Sequence, residues 1–237
     1  GAATRVGKAI ALHFAERGWN IALHYFRSSA KAKELKKIIE QHWVKVALIK
    51  ADLKNPKQTE KIIPLARKKL GTIDCLINNA GILGNIENQS FGNLDPDLFE
   101  KVMAVNALGP LKVAEAFADS VALSKQKKIV SMTSGLGSMQ ITLNSEAFYY
   151  YRMSKAALNM GVLAMNVSLK PKGVISALIA PGMVETQLLR DSGYPREGIT
   201  TDDSAAGLVK VINEISNETI KKNKGKSTNY NGMVIPW

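Results

Sequence analysis

One cysteine in 237 residues, Cys75, leaves no partner for an internal disulfide. It stands in Ile73-Asp74-Cys75-Leu76-Ile77, where a small strand residue is expected rather than a reactive thiol. No apolar run reaches the roughly 20 residues that a membrane-spanning helix needs. The chain opens on a glycine turn and an amphipathic helix, not on a basic segment ahead of an apolar one. No signal peptide is therefore expected, and a cytoplasmic location follows as the default. Aromatic residues do not interleave with the basic ones, as a stacking platform for single-stranded nucleic acid would require.

What is abundant is positive charge, a formal net of +12. Such a balance suits nucleic acid, an anionic membrane surface or an anionic small molecule. The lysines, however, are spread along expected helices: Lys31, Lys33, Lys36 and Lys37 in one, Lys61, Lys68 and Lys69 in the next, with Lys221, Lys222, Lys224 and Lys226 in the tail. Solvated helix faces account for them, so neither a nucleic acid nor a membrane is expected as a partner.

Apolar runs alternate with amphipathic stretches along the whole chain, the pattern of a parallel sheet covered by helices on both faces. Helices are expected over Val6–Arg17, Ala30–His42, Pro56–Leu70, Pro96–Leu123, Phe148–Leu169 and Asp202–Ser216. Strands are expected over Asn20–Tyr25, Val44–Ala51, Asp74–Asn78, Lys128–Thr133, Val174–Ala180 and Gly232–Ile235. No repeat, low-complexity segment or linker divides the chain. The expectation is one α/β domain over 1–237, a doubly wound parallel sheet of Rossmann type.

The most informative segment is Tyr149-Tyr150-Tyr151-Arg152-Met153-Ser154-Lys155. A Tyr and a Lys four residues apart on a helix share a face. A cation beside a phenol favours the phenolate, which brings proton exchange within reach of neutral pH. The pair alone is a weak signal, and its company gives it weight. Upstream lies Lys128-Ile129-Val130-Ser131-Met132-Thr133-Ser134-Gly135, an apolar strand ending in hydroxyls, then Asn78-Asn79-Ala80-Gly81, then the glycine-bearing opening Gly1 to Gly7. In this order and spacing these motifs resemble the short-chain dehydrogenase/reductase family over essentially the whole chain. The family's pattern carries a strand ahead of the first glycine, at the sheet's centre. The sequence begins at Gly1, so that strand is expected to be missing.

The resemblance implies a dinucleotide site. Gly1, Thr4, Val6 and Gly7 match its phosphate turn, with Arg5 where the pattern has a further glycine, a departure shared with pteridine reductases. Dinucleotide folds that select NAD place an acid after the second strand, whereas an arginine suits a 2′-phosphate. Here the strand ends Leu23-His24-Tyr25-Phe26-Arg27-Ser28-Ser29, without an acid, so Tyr25, Arg27 and Ser28 point to NADP(H). Asp52 and Leu53 match the adenine contact, and Asn79, Ala80 and Gly81 the turn beneath the adenosine ribose. Pro181, Gly182, Val184 and Thr186 match the segment passing the nicotinamide. No metal site is expected.

The same resemblance assigns catalysis to Asn106, Ser134, Tyr151 and Lys155. Tyr151 would give a proton to a carbonyl oxygen, and Lys155 would lower its pKa and hold the nicotinamide ribose. Ser134 would bond the developing alkoxide, and Asn106 would shape its helix and hold a relay water. Ser138 is the rival hydroxyl, and Tyr149 and Tyr150 the rival phenols. Residues 183–198 lack periodicity and suit a lid over the substrate. The second half is similar to sniffer-type carbonyl reductases and C-factor proteins, the first half to pteridine reductases. A carbonyl substrate (ketone, aldehyde or quinone) is expected. The alternatives are a pteridine or dihydrofolate reductase, or a nucleotide-binding signalling protein of the C-factor type with little turnover. The resemblance also implies a homodimer or homotetramer paired through the long helices.

Overall fold

The computed structural model describes residues 2–53, 55–141, 147–191 and 197–237. Helix α1 (Arg5–Ala15) leads into β1 (Ile21–Tyr25), α2 (Ser29–Glu40), β2 (Val46–Lys50), α3 (Pro56–Thr59), α4 (Ile62–Leu70) and β3 (Cys75–Asn78). A hairpin of β4 (Gln89–Ser90) and β5 (Asn93–Leu94) precedes α5 (Pro96–Met103), a π-helical turn (Ala104–Leu108) and α6 (Gly109–Ala122). Then come β6 (Lys128–Met132), α7 (Tyr149–Leu169), β7 (Ile175–Ala180), α8 (Gln187–Asp191), α9 (Thr201–Glu214), α10 (Asn217–Lys222) and β8 (Thr228–Asn229). The alternation read from the sequence thus forms the expected α/β fold.

Strands β1 and β2 pair in parallel, and β3, β6, β7 and β8 form a second parallel piece in the order β3-β6-β7-β8. Among the described residues no strand joins the two pieces. Every residue of β3 is half-buried, whereas β6 is buried throughout. Among the described residues β3 thus pairs on one side only, with β6. The chain enters beside β1, with Ala2 N donating to His24 O at 2.9 Å. Helix α1 ties the pieces together. Its Ile10 and Phe14 pack with Ile21, Ile77, Val130, Ile179 and α9, while its Ala11 and Ala15 pack with Leu23, Tyr25 and α2. On the opposite face, Ile62 and Ala66 of α4 meet Phe117 and Val121 of α6 over Ile49 and Ile129.

Three elements depart from the sequence expectation. The helix expected over Pro56–Leu70 is broken between Thr59 and Ile62, because Pro64 cannot donate to the carbonyl four residues back. The helix expected over Pro96–Leu123 contains the π turn. Pro110 also lacks a donor, and Gly109 N bonds Ala104 O, five residues back. The final strand is Thr228–Asn229 rather than Gly232–Ile235. It pairs with β7 through two residues only, and Val234 contributes an isolated antiparallel bridge to Thr228. Two pairing positions at a sheet edge need no apolar alternation, so a polar segment serves.

Candidate active site

Parallel strands bring all their carboxyl ends to one edge, and the motifs follow those ends. Tyr25 ends β1 and Arg27 and Ser28 follow it, Asp52 follows β2, Asn79–Gly81 follows β3, Ser134 follows β6 and Pro181–Gly182 follows β7. Ligands of open α/β sheets bind in the crevice outside these ends.

Tyr151 enters this crevice from the first turn of α7 and is buried, its hydroxyl hydrogen-bonded to that of Ser134. Ser134 Oγ also accepts from Leu136 N at 3.2 Å, which caps a short 3-10 turn and fixes the hydroxyl. Lys155, one turn further along α7, is buried with its ammonium 5.7 Å from the Tyr151 ring centroid. It donates to Met132 O at 2.9 Å. The neighbouring tyrosines face elsewhere: Tyr149 lies against Phe91 and Tyr150 against Phe99.

The electrostatics differ from the sequence expectation. Burial pushes the Tyr151 phenol above its usual pKa, and the Ser134 bond offsets only part of that rise. Lys155 itself is brought down to about 8 by burial, which disfavours its charge. The phenol therefore stays protonated at neutral pH, ready to donate, and the expected lowering by Lys155 is absent in this arrangement. Burial likewise raises the Cys75 thiol to about 12.

Asn106 sits in the π turn, completely buried. Its Oδ1 accepts from Ile82 N at 2.9 Å, and its Nδ2 donates to Ile82 O at 2.8 Å and Ser154 Oγ at 3.0 Å. Ser154 in turn donates to Tyr151 O at 2.7 Å. A polar chain thus runs from the segment after β3 to the backbone of Tyr151. Gly81 lies inside this corner, since a Cβ there would sit 3.4 Å from Asn106 Oδ1 and 3.5 Å from Lys155 Nζ. Ser138 is buried, with its Oγ accepting from Ile141 N at 3.2 Å. The turn between the two serines is fastened to α7 by Asn159, which accepts from Thr133 Oγ1 and donates to Gly137 O.

On the nucleotide side, Gly1 lies outside the described residues. Arg5 holds a φ of +53°, a left-handed conformation that favours glycine, so the backbone keeps the glycine shape the family pattern has there. Thr4 makes no side-chain capping bond, which leaves first-turn N–H groups of α1 open to an anion, and Val6 and buried Gly7 follow within that turn. Arg27 is exposed with its guanidinium 5.4 Å from the Phe26 ring centroid, between buried Tyr25 and half-buried Ser28. Asp52 N is held by Gln58 Oε1 at 2.9 Å, Leu53 is exposed, and Asn79 and Ala80 are half-buried. Pro181 O accepts from the buried Ser204 hydroxyl at 2.6 Å. Gly182 has a φ of +78°, and a Cβ on it would lie 2.7 Å from the Tyr230 ring.

The expected lid begins on a closed neck. Val184 bridges Ile199 in parallel, with Ile199 N on Met183 O at 2.8 Å and Glu185 N on Ile199 O at 2.9 Å. Thr186 Oγ1 then accepts from Leu189 N in α8, and 192–196 lie outside the described residues. Leu188 of α8 joins Leu83, Ile86, Leu136 and Phe148 in an apolar cluster around Tyr151. Sequence reading missed Gln89, a fully buried amide that reaches Tyr151 N, because a lone glutamine in a polar segment carries no periodic signal.

Residues 1–196 match the family model described as short chain dehydrogenase. A C-signal protein of Myxococcus xanthus is 35% identical over 167 residues, covering 70% of this chain and 94% of its own length. A 1-hydroxy-2-glutathionyl-2-methyl-3-butene dehydrogenase of Rhodococcus sp. (strain AD45) is 32% identical, covering 78% of each. Among solved structures, the carbonyl reductase Sniffer of D. melanogaster superposes with a TM-score of 0.82 at 23% identity, over 100% of this chain and 97% of its own. A short-chain dehydrogenase/reductase from Burkholderia multivorans with bound NADP gives 0.78 at 29% identity, over 100% and 96%. On the family match over 196 of its residues, the chain belongs to the short-chain dehydrogenase family of oxidoreductases.

Proposed function

We propose that the protein reduces a carbonyl group, taking hydride from NADPH, with Tyr151 as the proton donor. The observation that carries this reading is the hydrogen bond between Tyr151 and Ser134 with Lys155 buried one turn away. A protonated phenol can give its proton to a carbonyl oxygen held at the same point, and the Ser134 hydroxyl can bond the alkoxide that forms. Lys155 lies beside Gly81, where the missing side chain leaves room for a ribose. Asn106 holds that corner in place through Ile82 and Ser154.

The residues present fit a dinucleotide. The uncapped start of α1 and the left-handed Arg5 suit its phosphates, and Arg27 with Ser28 suits a 2′-phosphate. Pro181, Gly182, Val184 and Thr186 would line the nicotinamide, and Asp52 and Leu53 the adenine. NADPH, when bound, supplies the hydride to the carbonyl carbon. The NADP in the Burkholderia relative supports this cofactor. The apolar cluster of Leu83, Ile86, Leu136, Phe148 and Leu188 favours an uncharged ketone, aldehyde or quinone.

The same reading includes a homodimer or homotetramer. Met153, Met160 and Val167, seven residues apart on α7, are 48%, 68% and 74% exposed, and Leu108 at the π turn is 57% exposed. Sedimentation as a monomer would remove that part. Likeness to a C-signal protein favours a second reading, a signalling protein with little turnover.

An NADPH-oxidation screen over ketones, aldehydes, quinones and dihydropterins decides between these. Turnover of one of the first three, abolished in Tyr151→Phe with NADPH binding retained, supports the proposal. Turnover of a dihydropterin alone favours pterin reduction, and NADPH binding without turnover favours signalling.

A further inference from the structure

We propose that Gln89 is a positioning residue for Tyr151, fixing the helical turn that presents the phenol to the substrate. The inference rests on the carbonyl-reduction reading. Gln89 is completely buried, and its amide is used on both sides. Nε2 donates to Leu83 O and Asn85 O, both at 3.0 Å, and Oε1 accepts from Tyr151 N at 3.2 Å. The two carbonyls belong to the irregular segment between β3 and β4. The amide is thus a cross-link between that segment and the residue that carries the phenol.

The need for it is visible in how α7 starts. A helix leaves its first N–H groups without intrahelical partners, and a Ser, Thr, Asp or Asn at the cap usually meets one. Here the cap is Phe148, in the left-handed region at φ +65° and with no side-chain capping bond. Gln89, 62 residues upstream, supplies the missing acceptor to Tyr151 itself. At the other end of the same residue, Ser154 Oγ holds Tyr151 O. Both polar atoms of the Tyr151 backbone are therefore fixed by side chains, and only the phenol's own torsions remain. Gly84 lets the segment close over the amide, since a Cβ there would lie 3.2 Å from Gln89 Nε2. Phe91, from the turn of the same hairpin, rests on Tyr149 at 6.4 Å between centroids, a second hold on the first turn.

Proton and hydride transfer tolerate little misplacement, and a displacement of about 1 Å can cost roughly a hundredfold in rate. Gln89→Leu keeps the bulk and removes the bonds. It is expected to lower kcat by about tenfold to a hundredfold, leaving the carbonyl KM and NADPH affinity within about twofold. Gln89→Glu is nearly isosteric. Protonated, its O–H can replace one donor while its carbonyl accepts from Tyr151 N. Ionised, it would face two backbone carbonyls. That variant should therefore approach wild-type kcat at low pH and lose activity as pH rises, adding a titration that wild type lacks.

Tyr151→Phe is measured alongside. If it is inactive and Gln89→Leu turns over like wild type, the positioning role falls while the function stands. A Gln89→Glu profile that overlies wild type has the same meaning, and this arm remains if Gln89→Leu does not fold. Equal losses of kcat and NADPH affinity together with a lowered melting temperature would mark Gln89 as merely structural. If Tyr151→Phe keeps its turnover, the reading of the site fails and the role of Gln89 goes with it.

Discussion

The side-chain amide of Asn106 bonds both the N–H and the C=O of Ile82, at 2.9 and 2.8 Å, as a strand neighbour would. A single side chain thereby closes the segment after β3 onto the π turn, and its third bond passes to Ser154 and so to Tyr151. Leaving a buried donor or acceptor unmet costs about 1–3 kcal/mol. Asn106→Leu strands groups on Ile82 and Ser154 together. We expect a lowered denaturation midpoint and a kcat reduced beyond what lost stability explains. An unchanged midpoint in urea would show that the segment holds itself.

The pH dependence of reduction should be set by Lys155 rather than by Tyr151. Burial raises the phenol, so it keeps its proton through the neutral range, while the same burial brings Lys155 to about 8. Lys155 is charged below that value and neutral above it. Cofactor affinity and kcat/KM for reduction are therefore expected to fall as pH rises through about 8. A pH–rate profile checks this, and a descending limb starting only above the ordinary tyrosine range would assign the loss to the phenol instead.

The tyrosine and lysine were legible because their relation is local: four residues on a helix fix their shared face. Ser134 and Asn79–Gly81 were legible because strand ends in a parallel sheet all open at one edge. The links from Ile82 through Asn106 and Ser154 to Tyr151, and from Leu83 through Gln89 to the same residue, join segments tens of residues apart. No periodicity records such contacts. The rise of the Tyr151 phenol was not legible for a related reason. Spacing shows a lysine nearby, but burial, which raises the phenol, is a property of the folded whole.

Cofactor choice should follow Arg27. It is exposed at the carboxyl end of β1, without an acidic side chain between Tyr25 and Ser29. A charge-assisted bond to a 2′-phosphate is worth roughly 1.5–3 kcal/mol. NADPH should therefore bind more tightly than NADH by about tenfold to a hundredfold, and Arg27→Asp should narrow or reverse that ratio. Titration of both cofactors into both proteins measures it. Equal affinities in wild type would remove the NADP assignment.

Gly137 and Gly135 lie two residues apart in the turn that follows Ser134, yet they should respond oppositely to alanine. A Cβ on Gly137 would come within 2.8 Å of Lys155 Cβ and 3.0 Å of the Lys155 carbonyl carbon. Those atoms belong to the second turn of α7 and cannot swing aside as a flexible side-chain end could. The turn must retreat instead, and Ser134 retreats with it, lengthening its bond to Tyr151. Overpacking of this kind costs about 1–3 kcal/mol. A Cβ on Gly135 meets nothing within 4 Å, so Gly135→Ala should shift stability by no more than about 0.5 kcal/mol. Melting curves and kcat for the two variants test the contrast. If Gly137→Ala were as stable and active as Gly135→Ala, the contact between the serine turn and the catalytic helix would be looser than the distances imply.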